Sequence, residues 1–316
     1  MLNHQARRLL GEISNIHYAW VIIAIAAFMH MAGGSVRQAF GVLVVPLQEN
    51  MGWSPASVTL AYALSSIIGA VIAPFSGMAT DRYGARKVIL VGIGFFFLGA
   101  MITGAANEAW HIWISYGICL GGAQACFHVP ILTAATYWFR RRLAVGIGLL
   151  QAAHGLGPAV MAVLLSVMLS AMTWKTAFWL IGISSSAVML GLMLFFRNEP
   201  SQMGLRPYGA PDAEPVNNER DEVDERLRAQ TFLASMQGTN AFWQLVAVHF
   251  MGCVGHAIVI IYIIPIAVIA GVDAVSAAGI LSTLMAVSVL TRFSTPVIAD
   301  YLGARRAMAV MFVLQG

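Results

Sequence analysis

The stretch that decides the fold is Gly77-Met-Ala-Thr-Asp81-Arg82-Tyr-Gly84-Ala-Arg86-Lys87, a charged loop between two long apolar runs. A second version lies near the end of the sequence: Pro296-Val-Ile-Ala-Asp300-Tyr-Leu-Gly303-Ala-Arg305-Arg306. In both, Gly follows Asp by three residues and a basic pair follows by five and six. Asp81 and Asp300 are 219 residues apart, and so are Pro46 and Pro265 in earlier apolar runs. A charged loop that recurs at one register between apolar segments implies a duplicated membrane unit.

Composition agrees. Hydrophobic residues are 59% of the chain and charged ones 10%, too little charge to coat a soluble domain of 316 residues. Apolar runs of about 20 residues or more suit bilayer-spanning helices. They lack the apolar/polar alternation of a strand barrel. The expected fold is therefore all-α, a polytopic membrane protein. Its spans are expected at 18–47, 55–80, 88–106, 110–139, 143–172, 175–196, 240–270 and 274–299, with a ninth starting near Ala307. Residues 1–197 form a six-helix N-terminal bundle and 198–238 a linker. Residues 239–316 form an incomplete C-terminal bundle of two helices and the start of a third. The linker opens with Pro200, Pro207, Pro211 and Pro215, which disfavour helix, and continues through 219–228 as a mixed-charge helix. On the 219-residue register the second half closes near residue 415, about 100 residues beyond the last one here.

Fifteen of the eighteen Lys and Arg fall in the tail before the first span, in alternate loops or in the linker, against Lys175 alone on the other side. The positive-inside rule makes the crowded side cytoplasmic, so the N-terminus and the linker face the cytoplasm of an inner-membrane, multi-pass protein. This distribution accounts for the net charge of +4, and no nucleic-acid partner is expected. Cys119, Cys126 and Cys253 all lie in apolar runs and read as small buried hydrophobes. The first apolar run is too long for a signal-peptide core and is expected to stay as an anchor.

At these residues the chain resembles the major facilitator superfamily. Gly77 to Lys87 matches that superfamily's loop between its second and third helices. The second copy departs from it with Pro296 and Tyr301. Gly155-Leu-Gly157-Pro158 is similar to part of the superfamily's antiporter motif. A narrower resemblance is to the monocarboxylate and oxalate:formate branch. It rests on Val36-Arg37-Gln-Ala-Phe-Gly-Val-Leu, Thr291-Arg292, Trp138-Phe139-Arg140 and Met203-Gly204-Leu205-Arg-Pro207. Gln38 stands where eukaryotic carriers of that branch have Lys, and Ser288 where they have Asp one turn before Arg292. The resemblance implies two helix bundles, alternating access and no cofactor.

Only two charged residues sit deep within apolar runs, Arg37 and Arg292. A guanidinium cannot discharge by losing its proton, so in the bilayer it must find an anion or several acceptors. Arg37 lies eleven residues from Gln48, roughly 16 Å at helical rise, and Arg292 eight residues from Asp300, roughly 12 Å. Both are thus near the midplane, one from each half, where carriers place substrate. The expected role is a bidentate clamp on a carboxylate; the structural alternative is snorkelling or bonding to backbone carbonyls at a helix break.

His30, His128, His154, His249 and His256 also lie in apolar runs; each reads first as a hydrogen-bonded structural residue, with proton relay as the functional alternative for this residue type. His256 precedes Pro265 by nine residues, as Arg37 precedes Pro46, which places it opposite Arg37 at matching depth. Gln124 and His128 share a helix face and are candidates to line the cavity, with ordinary helix packing as the alternative. The expected substrate set is Arg37, Arg292, His256, His128 and Gln124. The expected gate is Gly77, Asp81, Arg82, Gly84, Arg86, Lys87, Asp300, Gly303 and Arg305, a charge cluster that latches the two halves; the alternative is charge that only sets topology. Small residues such as Gly117, Gly121, Gly122, Gly146 and Gly148 allow close helix approach.

No metal-ligand spacing, nucleophile elbow or phosphate loop is present, so neither an enzyme nor a metal site is expected. The expected function is secondary transport of small organic anions by a monomer, coupled to protons or a counter-anion. The alternatives are export of hydrophobic or neutral compounds, or a truncated fragment that does not transport.

Overall fold

The computed structural model describes residues 17–211, 231 and 235–315. In chain order the helices are α1 (Tyr18–Gln38), α2 (Gly41–Met51), α3 (Pro55–Tyr83), α4 (Ala85–Gly104) and α5 (Ala109–Trp138). They continue as α6 (Leu143–Ala171), α7 (Trp174–Met193), α8 (Asn240–Ile269), α9 (Ala274–Leu302) and α10 (Ala304–Gln315). Among the described residues, eight of these helices are long and apolar enough to cross a membrane. The expected linker helix at 219–228 lies outside the described residues. Before it, Pro200–Met203 forms a short 3₁₀ turn in a stretch where the prolines had argued against helix.

The duplication is visible in the backbone. α3 and α9 are both 29 residues long and start 219 positions apart. Each is preceded by a glycine in the left-handed region, Gly52 at φ 68° and Gly271 at φ 92°. Each is capped by a side-chain oxygen at the same register. Ser54 accepts from the Ser57 amide, and Asp273 from the Val275 and Ser276 amides. Each ends on a glycine at φ 85°, Gly84 or Gly303, whose N–H donates to the Thr80 or Ala299 carbonyl. The two charged loops thus share one chain reversal.

Gly84 has no side chain to cap α4. Asn198, just beyond α7, does so instead: its Oδ1 accepts from the Arg86 amide at 2.7 Å. A methyl group at Gly84 would stand 2.6 Å from Asn198 Nδ2, so the close approach needs glycine here. Asn198→Ala is expected to lower stability by about 1 kcal/mol, the usual cost of a lost N-cap. Thermal unfolding in detergent measures it, and an unchanged midpoint would remove Asn198 from that role.

The same end of the molecule gathers the other basic loops. Tyr18 Oη donates to the Phe195 carbonyl, and Trp138 Nε1 to the Arg197 carbonyl. The amides of Arg140 and Arg141 both donate to the Tyr208 carbonyl, while the Tyr208 amide donates to Trp138. At the opposite end Lys175 Nζ donates to Asn107 Oδ1, and Trp113 Nε1 to the Ser57 carbonyl.

Two expected spans are not simple α-helices. The first breaks at Ala39–Phe40, and the chain restarts with shortened bonds, Val42 to Ala39 and Leu43 to Phe40. Proline at 46 already weakens this region, since it has no N–H to give and crowds the carbonyl four residues back. The fourth span carries a π-helical stretch, Trp113–Leu120, within α5. Aromatic side chains fill the core, with Trp138, Tyr116, Phe40, Phe96, Phe127 and Phe178 fully buried. Large apolar side chains of the N-terminal half such as Leu98, Ile183, Val188 and Leu190 point outward, as lipid-facing positions require. Of the three cysteines expected to be buried, Cys126 is; Cys119 is half-buried and Cys253, on α8, is exposed.

Candidate functional site

A cavity of about 250 Å³ lies between α1, α3, α5 and α6. Arg37, Ser65, Ser66, Gln124, His128 and His154 supply its polar wall, and Gly69, Ala70 and Ala73 of α3 leave the room. No Asp or Glu is among its lining residues.

Arg37 is held rather than loose. Its Nε donates to Ser65 Oγ at 2.9 Å and its Nη2 to Ser66 Oγ at 2.7 Å. Both hydroxyls in turn donate to the Tyr62 carbonyl, which turns their lone pairs toward the guanidinium. The Tyr62 ring lies 4.8 Å from Cζ, within cation–π range. The acceptors it finds within the chain are side-chain oxygens: two of its five donors rest on neutral hydroxyls. That fixes the fork without neutralising it. Neither snorkelling nor bonding to backbone carbonyls describes it.

Just after Arg37 comes the break that ends α1. It frees the carbonyls of Val36 and Arg37, and Tyr116 Oη takes them both, at 2.7 and 3.0 Å. Tyr116 is fully buried in the π-helical stretch of α5. Tyr116→Phe is expected to cost about 1–3 kcal/mol of stability, because two buried carbonyls lose their donor. Carboxylate binding should weaken with it. Thermal unfolding and a binding isotherm on the same sample check this; two unchanged values would end the positioning role.

Gln124 enters the cavity beside Gly34, where a methyl group would meet its Oε1 at 3.1 Å. That Oε1 is buried and has no hydrogen-bond partner. His128 Nδ1 lies 3.1 Å from His30 Nε2, and His154 Nε2 accepts from Gln38 Nε2 at 2.9 Å. His154 and His30 were not in the expected substrate set. His154 lines the cavity, and His30 stands behind it, buried.

Arg292 and His256 sit differently. They face each other, with Nη2 of Arg292 3.4 Å from His256 Nε2, and Arg292 Nε donates to Ser288 Oγ at 3.3 Å. Neither is in the cavity lining. His256, expected opposite Arg37, pairs with Arg292 instead. The duplication gives a reason. His256 is 219 residues from Arg37, while Arg292 is 219 from Ala73 and Ser288 is 219 from Gly69. Where the second half fills the space with a guanidinium and a serine, the first half has small residues and a cavity. Arg292 still reaches the N-terminal bundle: a methyl group at Gly155, next to His154, would stand 3.0 Å from its Cδ.

The residues expected to form the gate lie at the basic-loop end, and Gly77 alone of those described here reaches a residue of the cavity lining, Val129. Gly77 faces Val129, the Arg82 guanidinium stacks on Tyr83 at 5.2 Å, and Arg86 is bonded through its amide as described. A methyl group at Gly303 would meet nothing within 4 Å, unlike one at Gly84.

The family described as Major Facilitator Superfamily matches residues 23–316. Human monocarboxylate transporter 14 is 24% identical over 232 residues, which is 70% of this chain and 46% of that protein. The oxalate:formate antiporter of Oxalobacter formigenes is 24% identical over 206 residues, 65% of this chain and 48% of that protein. The chain thus spans about half the length of these relatives, or less. Among solved structures, a bacterial homolog of the human lysosomal transporter Spinster, inward-facing and unoccupied, matches at TM-score 0.64 and 16% identity. The match covers 91% of this chain and 64% of that one, a likeness of fold.

Proposed function

Because this chain belongs to the major facilitator superfamily, whose members are transporters and not enzymes, we propose that it carries small organic anions, mono- or dicarboxylates, by alternating access between two helix bundles. The observation behind this reading is Arg37: a guanidinium braced by Ser65, Ser66 and Tyr62, at a cavity whose lining has no carboxylate. Its remaining donors match the two oxygens of a carboxylate, and a low-dielectric wall strengthens that attraction. A cationic substrate has no counter-charge there. Arg292, from the other half, supplies a second positive charge behind His154. The names of two relatives, a monocarboxylate transporter and an oxalate:formate antiporter, point to the same substrate class.

The basic-loop end faces the cytoplasm in this proposal, with the linker on that side of a cell inner membrane. The loops around Asp81 and Asp300 act as a latch between bundles, and opening it shifts an equilibrium between outward and inward states. A counter-anion or protons balance the charge moved.

Proteoliposomes test the proposal. Labelled oxalate, formate and lactate are offered to vesicles loaded with unlabelled anion, using these 316 residues and the chain extended along its reading frame. Saturable uptake that depends on Arg37 supports it. Uptake of none of the three by either protein, with efflux of a neutral lipophilic compound, would favour the exporter reading instead.

A further inference from the structure

Three histidines on three helices meet at the back of the cavity: His30 on α1, His128 on α5 and His154 on α6. One ring nitrogen from each lies within 4.8 Å of the other two. The rings pack at centroid distances of 4.6, 5.1 and 5.5 Å. The His30–His128 nitrogens are already 3.1 Å apart. Two ligands on a tetrahedral zinc, with bonds of about 2.0–2.1 Å, stand roughly 3.4 Å apart. His154 Nδ1 is buried and has no hydrogen-bond partner; Gln38, 2.9 Å from the other ring nitrogen, supports the ligating tautomer once its amide turns to present Oε1 to Nε2–H.

We propose that His30, His128 and His154 form a binding site for a divalent transition-metal ion of the zinc, copper or nickel type. Neutral imidazoles suit these ions, and a site without carboxylates does not suit magnesium or calcium. Three nitrogens leave one tetrahedral position open toward the cavity, for water or an anion. The guanidiniums of Arg37 and Arg292 oppose a cation, so the site is of moderate affinity and tightens when an anion is present. Coordination joins α1, α5 and α6 and holds one conformation of the N-terminal bundle. The site shares a wall with the cavity of the transport proposal, but its test is independent, since metal binding is read without any transported substrate.

The test uses the purified chain in detergent, with no histidine tag. It is made in a Cys253→Ser background, because Cys253 Sγ and His249 Nε2, 3.4 Å apart on α8, form a competing pair. Zinc is titrated by calorimetry and copper by electron paramagnetic resonance. The expected result is one zinc per chain at micromolar affinity and a copper spectrum split by three nitrogens. Affinity should fall at least tenfold in His30→Gln and, separately, in His154→Gln. His154 is only half-buried, so that second variant keeps the test valid if the first does not fold. Zinc binding equal in His154→Gln and the parent, or a copper spectrum with two nitrogens or fewer, overturns the site.

Discussion

Arg37→Ala is expected to weaken carboxylate binding by roughly 100-fold, about 3 kcal/mol for a lost charge-assisted fork in a desolvated wall. The reason lies in what braces the residue. Ser65, Ser66 and Tyr62 fix the guanidinium plane before any anion arrives, so little conformational freedom is lost on binding. Arg37→Lys keeps the charge but has neither the planar fork nor the reach to satisfy both serines; a loss of about tenfold is expected. Arg292→Lys should cost less than Arg37→Lys, because Arg292 is outside the cavity lining and already faces His256. Equilibrium binding of labelled oxalate to the three purified variants ranks them. An Arg37→Ala protein that binds like the parent would place the anion elsewhere.

Gly121→Ala is expected to damage both stability and the site. A methyl group there would stand 2.6 Å from the Ser65 carbonyl oxygen and 2.9 Å from the Ser65 Cα. These are backbone atoms of the facing helix and cannot swing aside, so α3 and α5 must separate. Overpacking of this kind typically costs about 1–3 kcal/mol. Ser65 is also the acceptor for Arg37 Nε, so the displacement reaches the fork directly. The unfolding midpoint should fall by several degrees, with carboxylate affinity down about tenfold or more. Gly94→Ala is the control, since a methyl group there meets nothing within 4 Å; it should be neutral or slightly stabilising. Equal behaviour of the two variants would mean that the α3–α5 contact does not set the geometry of Arg37.

Much of this architecture is legible in the sequence because it depends on local chemistry. The repeat at Asp81 and Asp300 reappears as paired glycine turns at Gly84 and Gly303 and as helices of equal length. Apolar runs mark the spans because unpaired backbone is excluded from lipid. Arg37 stands out because a charge within such a run needs a reason. What the sequence does not display is set by tertiary contact. Ser65 and Ser66 are unremarkable serines until α3 is laid against α1. Tyr116 matters only once the carbonyls of Val36 and Arg37 have lost their helical partners. His30, His128 and His154 have no metal-ligand spacing, since each comes from a different helix. The pairing of His256 with Arg292 rather than with Arg37 reflects a choice between neighbours that a linear register does not contain.

The central claim is that the cavity selects negative charge. Its most direct measurement is a competition binding series on the purified protein, with labelled oxalate displaced by formate, lactate, a neutral lipophilic alcohol or a lipophilic cation. The account predicts saturable oxalate binding at one site per chain, displaced by the carboxylates and indifferent to the alcohol and the cation. Displacement by the cation or the alcohol, with none by the carboxylates, would contradict it.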